Sequence, residues 1–167
     1  VLFGILIAGA IIGMRVWRAT SSASDNSIKI EGNVISTSKD DPDMLAAVDR
    51  ARRTVTQFTE HLARPRAGEE GFSIKIGIKQ RNDLELIWLG NTTFDGVTFH
   101  GVIDEAPASV RNVKVGDRKD ARADEIYDWM YIADGKLVGG ETIRALRNKM
   151  RAKQRADFDK DLPFTID

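Results

Sequence analysis

The chain opens with fourteen residues that carry no polar side chain, Val1 to Met14 (VLFGILIAGAIIGM). Arg15 ends the run, and Trp17 and Arg18 follow it. Ala19 to Ser27 is polar and small, the composition of a flexible linker. Ile28 to Ile35 predicts a short edge strand. Helical periodicity begins after Asp41, a side chain suited to an N-cap, with Pro42 at the first helical position. Met44, Val48, Ala51, Val55, Phe58 and Leu62 recur at steps of three and four, which predicts one buried stripe, and Pro65 stops the helix. His61 lies beside that stripe and is expected to cap the helix or face solvent.

The period then changes to two. Phe72, Ile74, Ile76 and Ile78 alternate with Ser73, Lys75, Gly77 and Lys79, as in a half-buried strand. Leu86 to Leu89 is a continuous apolar run suited to a central strand. Asp95-Gly96 signals a hairpin, and Val97 to Ile103 is its return strand, with His100 on the face opposite Phe99 and Ile103. Val110, Val113 and Val115 predict a further short strand. Ile126 to Ile132 (IYDWMYI) is another, and Asp134-Gly135 turns the chain into Leu137-Val138. Thr142, after Gly139-Gly140, is expected to cap a last helix running to Arg155, with Ile143, Leu146 and Met150 buried. Leu162-Pro163-Phe164 is expected to dock back on the domain. Strands joined by short turns between two helices predict an α+β fold: an antiparallel β-sheet meander flanked by an N-terminal and a C-terminal α-helix. The division is 1–18 as a hydrophobic membrane anchor or signal segment, 19–27 as a linker and 28–167 as one domain.

Fourteen helical residues span about 21 Å at 1.5 Å each, short of the ~30 Å hydrocarbon core, so an anchor needs more apolar residues before Val1. A retained anchor is favoured over a cleaved signal peptide, because the charges follow the run instead of preceding it. A buried helix of the domain is the third reading. Arg15 and Arg18 favour a cytoplasmic domain, and basic residues before Val1 would reverse that, so the side of the membrane is open. Gly9 and Gly13 form a GxxxG pair, a lead toward helix pairing that leaves the oligomeric state open.

Composition narrows the chemistry. The 167 residues include 25 basic and 25 acidic side chains, so net charge gives no argument for a polyanionic partner. Cysteine is absent, which removes disulfides, thiolate metal sites and cysteine nucleophiles. His61 and His100 are the two histidines. No GxSxG, HExxH, P-loop or dinucleotide fingerprint is present, so no catalytic, metal or cofactor residue is assigned. Adjacent acids, Asp104 with Glu105 and Asp124 with Glu125, point apart in a strand.

Three features carry the candidate binding surface. Tyr127, Trp129 and Tyr131 share one face of a strand, as an aromatic platform or as core, and Asp128 sits on the other face. A buried Asp128 paired with an arginine such as Arg144, or with a turn N–H, is the structural alternative to a catalytic carboxylate. Gly139-Gly140 before a helix N-terminus is an anion cradle or a turn device. Arg144, Arg147, Arg151 and Arg155 step by three, four and four, so on one helix they share a face. That face suits solvent, anionic lipid or another anionic partner. Nucleic acid is disfavoured, because no nucleic-acid module accompanies it.

Glu85-Leu86-Ile87-Trp88-Leu89, then Phe99-His100-Gly101-Val102-Ile103 to Pro107, then Val115-Gly116-Asp117 with Ile126-Tyr127-Asp128-Trp129-Met130-Tyr131 and Gly139-Gly140-Glu141-Thr142 resemble the YegJ-like bacterial family (domain of unknown function 2314). The resemblance implies a compact bacterial domain, found behind a secretion signal or beside other modules, and transfers no activity. The expectation is a non-enzymatic interaction module at the bacterial envelope. Its alternatives are a carboxylate-based hydrolase and a binder of anionic lipid or nucleic acid through the basic helix.

Overall fold

The computed structural model describes backbone and side chains over residues 41–81 and 84–167. At 16–20, 29–31, 34–38 and residue 83 it describes the backbone. The apolar run 1–14 lies outside the described residues, and no described helix is long and apolar enough to cross a membrane.

Among the described residues, nine strands form one sheet. β1 (Val16–Thr20) lies between β3 (Val34–Ser38), to which it is parallel, and β5 (Asp83–Phe94), to which it is antiparallel at Trp17↔Leu86 and Arg18↔Glu85. β2 (Lys29–Glu31) pairs with β3. The boundary expected at residue 18 therefore falls inside a strand, and Ala19 and Thr20 belong to the sheet. The expected edge strand at 28–35 is a β2–β3 pair.

The remaining six strands are antiparallel, in the order β7-β6-β5-β4-β8-β9. They are β4 (Glu69–Gln80), β5, β6 (Thr98–Ile103), β7 (Arg118–Arg122), β8 (Ile126–Ala133) and β9 (Lys136–Gly139). With helices α1 (Pro42–Ala63), α2 (Glu141–Lys149) and α3 (Ala152–Lys160), they give the α+β fold read from the sequence. β7 and β8 stand four places apart in the sheet, about 19 Å if it were flat. Yet residues 123–125 alone join them, a chain with a reach of roughly 14 Å. The sheet must therefore coil, and its concave side closes over α1.

Asp41 caps α1, its Oδ1 accepting from the backbone N–H of Asp43 at 3.0 Å and Met44 at 3.3 Å. Met44, Ala47, Val48, Ala51 and Phe58 are buried, so the predicted stripe is the one used. Phe58 is fully enclosed, its ring 5.9 Å from Phe72, 5.9 Å from Phe99 and 5.5 Å from Trp129. Together with Ile74, Ile76, Ile78, Ile87, Leu89, Phe99, Ile103 and Tyr131 these side chains form one apolar cluster. On the opposite face Leu86, Trp88 and Met130 meet Ile143, Leu146, Met150, Phe158 and Phe164 in a second cluster, which the start of α1 also joins through Met44 and Ala47.

Three expectations are corrected. The face of β4 expected to meet solvent is covered by the C-terminal helices, so Ser73 and Lys75 are buried. Val110, Val113 and Val115 form no strand. They lie in the irregular segment 104–117, where Val110 and Val113 plug the first cluster and Val115 is exposed. The strand that pairs with β6 is β7, whose sequence RKDAR lacks apolar alternation. Last, the single helix expected from Thr142 to Arg155 is two helices. α2 ends at Met150, whose ψ of 141° is extended, and α3 restarts after Arg151.

Candidate functional site

Gly139 and Gly140 lie at φ +73° and +65°, the left-handed region that glycine occupies without cost. A Cβ at Gly139 would collide with the carbonyl oxygen of Trp129. The pair turns the chain sharply from β9 into α2, but as N-cap Gly140 has no side chain to accept from the first helical N–H groups. Asp128 on β8 takes that role from outside the helix. Its Oδ1 accepts from Glu141 N at 3.1 Å and from Trp129 N at 2.9 Å. Its Oδ2 accepts from Thr142 N at 2.7 Å and from the Thr142 hydroxyl at 2.6 Å. The expected cap, Thr142, is thus a donor to the residue that caps, and the expected anion cradle already holds the protein's own carboxylate.

Lys75 completes the centre. Its register partners are Asp128 on β8 and Trp88 on β5, so all three share one face. The ammonium donates to the Thr142 hydroxyl at 2.7 Å and stands 4.5 Å from the centroid of the Trp88 ring. Asp128 and Lys75 are both buried. Desolvation lowers the Lys75 pKa to about 8 against the pull of Asp128. Desolvation also raises Asp128, with Lys75 and the hydrogen bonds from Thr142 opposing it.

Of the two partners open to a buried Asp128, an arginine or a turn N–H, the N–H groups of Glu141 and Thr142 hold and Arg144 is corrected. Arg144 donates to three backbone carbonyls: Leu137 at 2.8 Å, Gly139 at 3.0 Å and Asp167 at 3.0 Å. Sequence reading missed Lys75 because it alternates with isoleucines as Lys79 does, and only the helices packed above separate the two. Trp129 and Tyr131 are core, 2% and 5% exposed. Trp129 donates its indole N–H to Ala51 O at 2.8 Å, and Tyr131 stacks between Phe72 and His61, so α1 covers this face and, of the two readings of the aromatic row, the core one holds.

The four arginines do not share a face, because the chain breaks between α2 and α3. Arg147 grips Asp159 with two bonds, 2.7 and 2.8 Å. Arg155 reaches the carbonyls of Met150 and Asn148 at 3.3 and 3.5 Å. Arg151 is exposed.

A second group of carboxylates surrounds the end of β6. Burial would raise Glu85, but the backbone N–H groups of Val110, Ala108 and Ser109 and the Ser109 hydroxyl outweigh it and hold the carboxyl below its usual range. Burial and the neighbouring Asp104 push Glu105 up to about 7, although the two were expected to point apart. The cavity beside Glu85 and Glu105 measures about 10 Å³, room for one water at most.

His100 is on the outer sheet surface as expected, between Asp120 at 2.8 Å and Asp95 at 3.2 Å. Those hydrogen bonds, Asp120's first, raise its pKa. His61 bonds Glu69 at 2.7 Å beside an open cavity of about 630 Å³ lined by Glu60, Ala63, Arg64 and Arg66. No group of three or more metal-ligating side chains occurs among the described residues.

Fold and centre together define a small α+β domain in which a buried carboxylate caps a helix from a neighbouring strand. The family described as an uncharacterized protein conserved in bacteria (DUF2314) matches residues 41–165, and the chain belongs to it. The uncharacterized protein YegJ of Escherichia coli K12 is 33% identical over 103 residues, 62% of this chain and 66% of YegJ. A putative ankyrin repeat protein of Neisseria meningitidis serogroup B is 30% identical over 121 residues, 68% of this chain. The match spans 48% of the Neisseria protein, so this chain covers about half of one relative and about two thirds of the other. No solved structure matches the chain.

Proposed function

We propose that the domain is a non-catalytic interaction module, held at a bacterial membrane by the apolar segment that precedes it. The observation that carries this reading is how the chain enters the fold. Val16, two residues after the apolar run, already opens a strand bonded to β5. With so short a lead, a segment inserted in a bilayer would hold the sheet against the membrane surface. The Neisseria relative, named for ankyrin repeats, supports a domain that serves as one module of larger proteins. The hydrolase alternative would need an acid other than Asp128, whose carboxylate already accepts from Trp129, Glu141 and Thr142 inside the protein. The lipid or nucleic-acid alternative loses its stripe, because Arg144, Arg147 and Arg155 are engaged internally.

Two measurements test the proposal in cells producing the full chain. Carbonate washing should leave the protein in the membrane fraction, and its release would remove the tether. Photo-crosslinking side chains at Leu45, Val97 and Val115, the large apolar residues more than half exposed, should give a discrete adduct from at least one position. Absence of an adduct at all three would overturn the module reading.

A further inference from the structure

The open cavity of about 630 Å³ at the end of α1 has in its wall a histidine held in one orientation. Nδ1 of His61 bonds Glu69 Oε1 at 2.7 Å, and the ring stacks on Tyr131 at 5.1 Å. Tyr131 is itself stacked on Phe72, 4.8 Å away, so the imidazole rests on the first apolar cluster. The Glu69 side chain is 7% exposed, and its other oxygen, Oε2, accepts from Arg66 N at 2.9 Å. That N–H first, with the bond to His61, outweighs burial and holds the Glu69 carboxyl below its usual range. An ionised Glu69 keeps a proton on Nδ1. The other ring nitrogen, Nε2, makes no hydrogen bond among the described residues. The helix end is closed without the ring, because Arg64 N donates to His61 O at 3.2 Å.

Arg64 and Arg66 line the same cavity, both exposed, and neither guanidinium is bonded to another described residue. Of the charged groups on the walls, two are these guanidinia and one, Glu60, is a carboxylate. The ~half negative charge of a helix C-terminus reduces that surplus without cancelling it. We infer that the cleft is a binding site for a phosphate monoester group, carried by a small molecule or free as phosphate. Guanidinia take phosphate oxygens as two-pronged forks. Nε2 accepts a proton when the ring is neutral and donates one when it is charged. A phosphate monoester matches both states, because its second proton leaves near pH 6. P–O–H bonded to Nε2 and P–O⁻ bonded to H–Nε2 are then one arrangement with the proton moved. A phosphodiester has no such proton. The cavity falls in the ~300–1,000 Å³ range of small-molecule sites, so an organic group can share it with the phosphate.

The test uses the full chain in a non-ionic detergent at constant ionic strength. Phenyl phosphate, inorganic phosphate and dimethyl phosphate are the probes. Phenyl phosphate should move the His61 Nε2 resonance in nitrogen-15 spectra and leave His100 in place. Arg64→Gln and Arg66→Gln should each weaken its binding about tenfold, the loss of a charge-assisted hydrogen bond. Both side chains are exposed, so the fold tolerates the changes. Arg53→Gln, exposed on the same helix and outside the cavity, should leave the affinity unchanged. Tighter binding of phenyl phosphate than of inorganic phosphate assigns the site to a monoester, and equal binding assigns it to free phosphate. An Nε2 resonance that no millimolar phosphate probe moves overturns the site. Dimethyl phosphate binding as tightly as phenyl phosphate overturns the monoester. An equal loss in Arg53→Gln would reduce the binding to diffuse surface charge and overturn the cleft.

Discussion

At the scale of single residues, the centre of the domain is two buried opposite charges, Asp128 and Lys75, joined through the Thr142 hydroxyl and given a structural task. Asp128 answers the free N–H groups of α2, and Lys75 answers Asp128. Removing one partner strands the other charge, so Asp128→Ala should cost about 3–5 kcal/mol. Lys75→Met leaves Asp128 with its hydrogen bonds from Thr142, Glu141 and Trp129 and should cost less. Urea denaturation of the two single variants and the double variant should give a coupling of roughly 1–3 kcal/mol; additive losses would mean that the charges act independently. Glu105 makes a pH-dependent prediction. Its folded pKa, about 7, lies above the ordinary 4.5, so the native state binds the extra proton between these values. Stability from this group is full below pH 4.5 and is lost as pH rises toward and past 7. Glu105→Gln should raise stability at pH 8 by about 2 kcal/mol and leave it unchanged at pH 4. A Gln variant with the unaltered pH profile would place the titration elsewhere. None of this was legible beforehand: a lysine alternating with isoleucines reads as solvent-facing, and only the position of α2 and α3 buries it.

Elements were legible where local chemistry alone decides them. Asp41-Pro42 and Pro65 bracket α1, and period-two alternation marks β4, because cap, proline and pleat act within a few residues. β7 was hidden because its flank is polar and its one buried side chain is Ala121. The break between α2 and α3 was hidden because no glycine or proline marks it; the residues there, Met150 and Arg151, are ordinary helix formers. The glycine pair had two readings, and the turn reading fits, which sets up a comparison between glycines. Gly96 is also at positive φ but has open space around its absent Cβ, so Gly96→Ala should cost about 1–2 kcal/mol from conformation alone. Gly139→Ala adds a collision with the Trp129 carbonyl and ring and should cost about 3 kcal/mol or more. Equal losses in thermal denaturation would show that the junction of β9 with α2 can relax.

For the whole molecule, the sequence marked α1 as the bearer of a buried stripe but could not show that one helix serves both faces of the sheet. Its N-terminal turns place Met44 and Ala47 in the cluster beneath α2 and α3, while Phe58 fills the concave side against Trp129 and Phe99. Trp129 ties the helix to β8 through the Ala51 carbonyl. Asp128, the residue before it on that strand, ties β8 to α2 on the opposite face. The two clusters are therefore coupled through β8 and through α1, and neither can open alone without breaking buried polar ties. Phe58→Ala in one cluster should cost about 3–5 kcal/mol, and Leu146→Ala in the other about 2–5 kcal/mol. Each should shift one and the same calorimetric transition, with the calorimetric and van't Hoff enthalpies equal in both variants. Splitting of the transition in Leu146→Ala, with the concave cluster melting later, would mean that α2 and α3 are a separately folding cover over the sheet. The double variant distinguishes the cases further, because losses transmitted through shared ties exceed or fall short of their sum whereas independent clusters add.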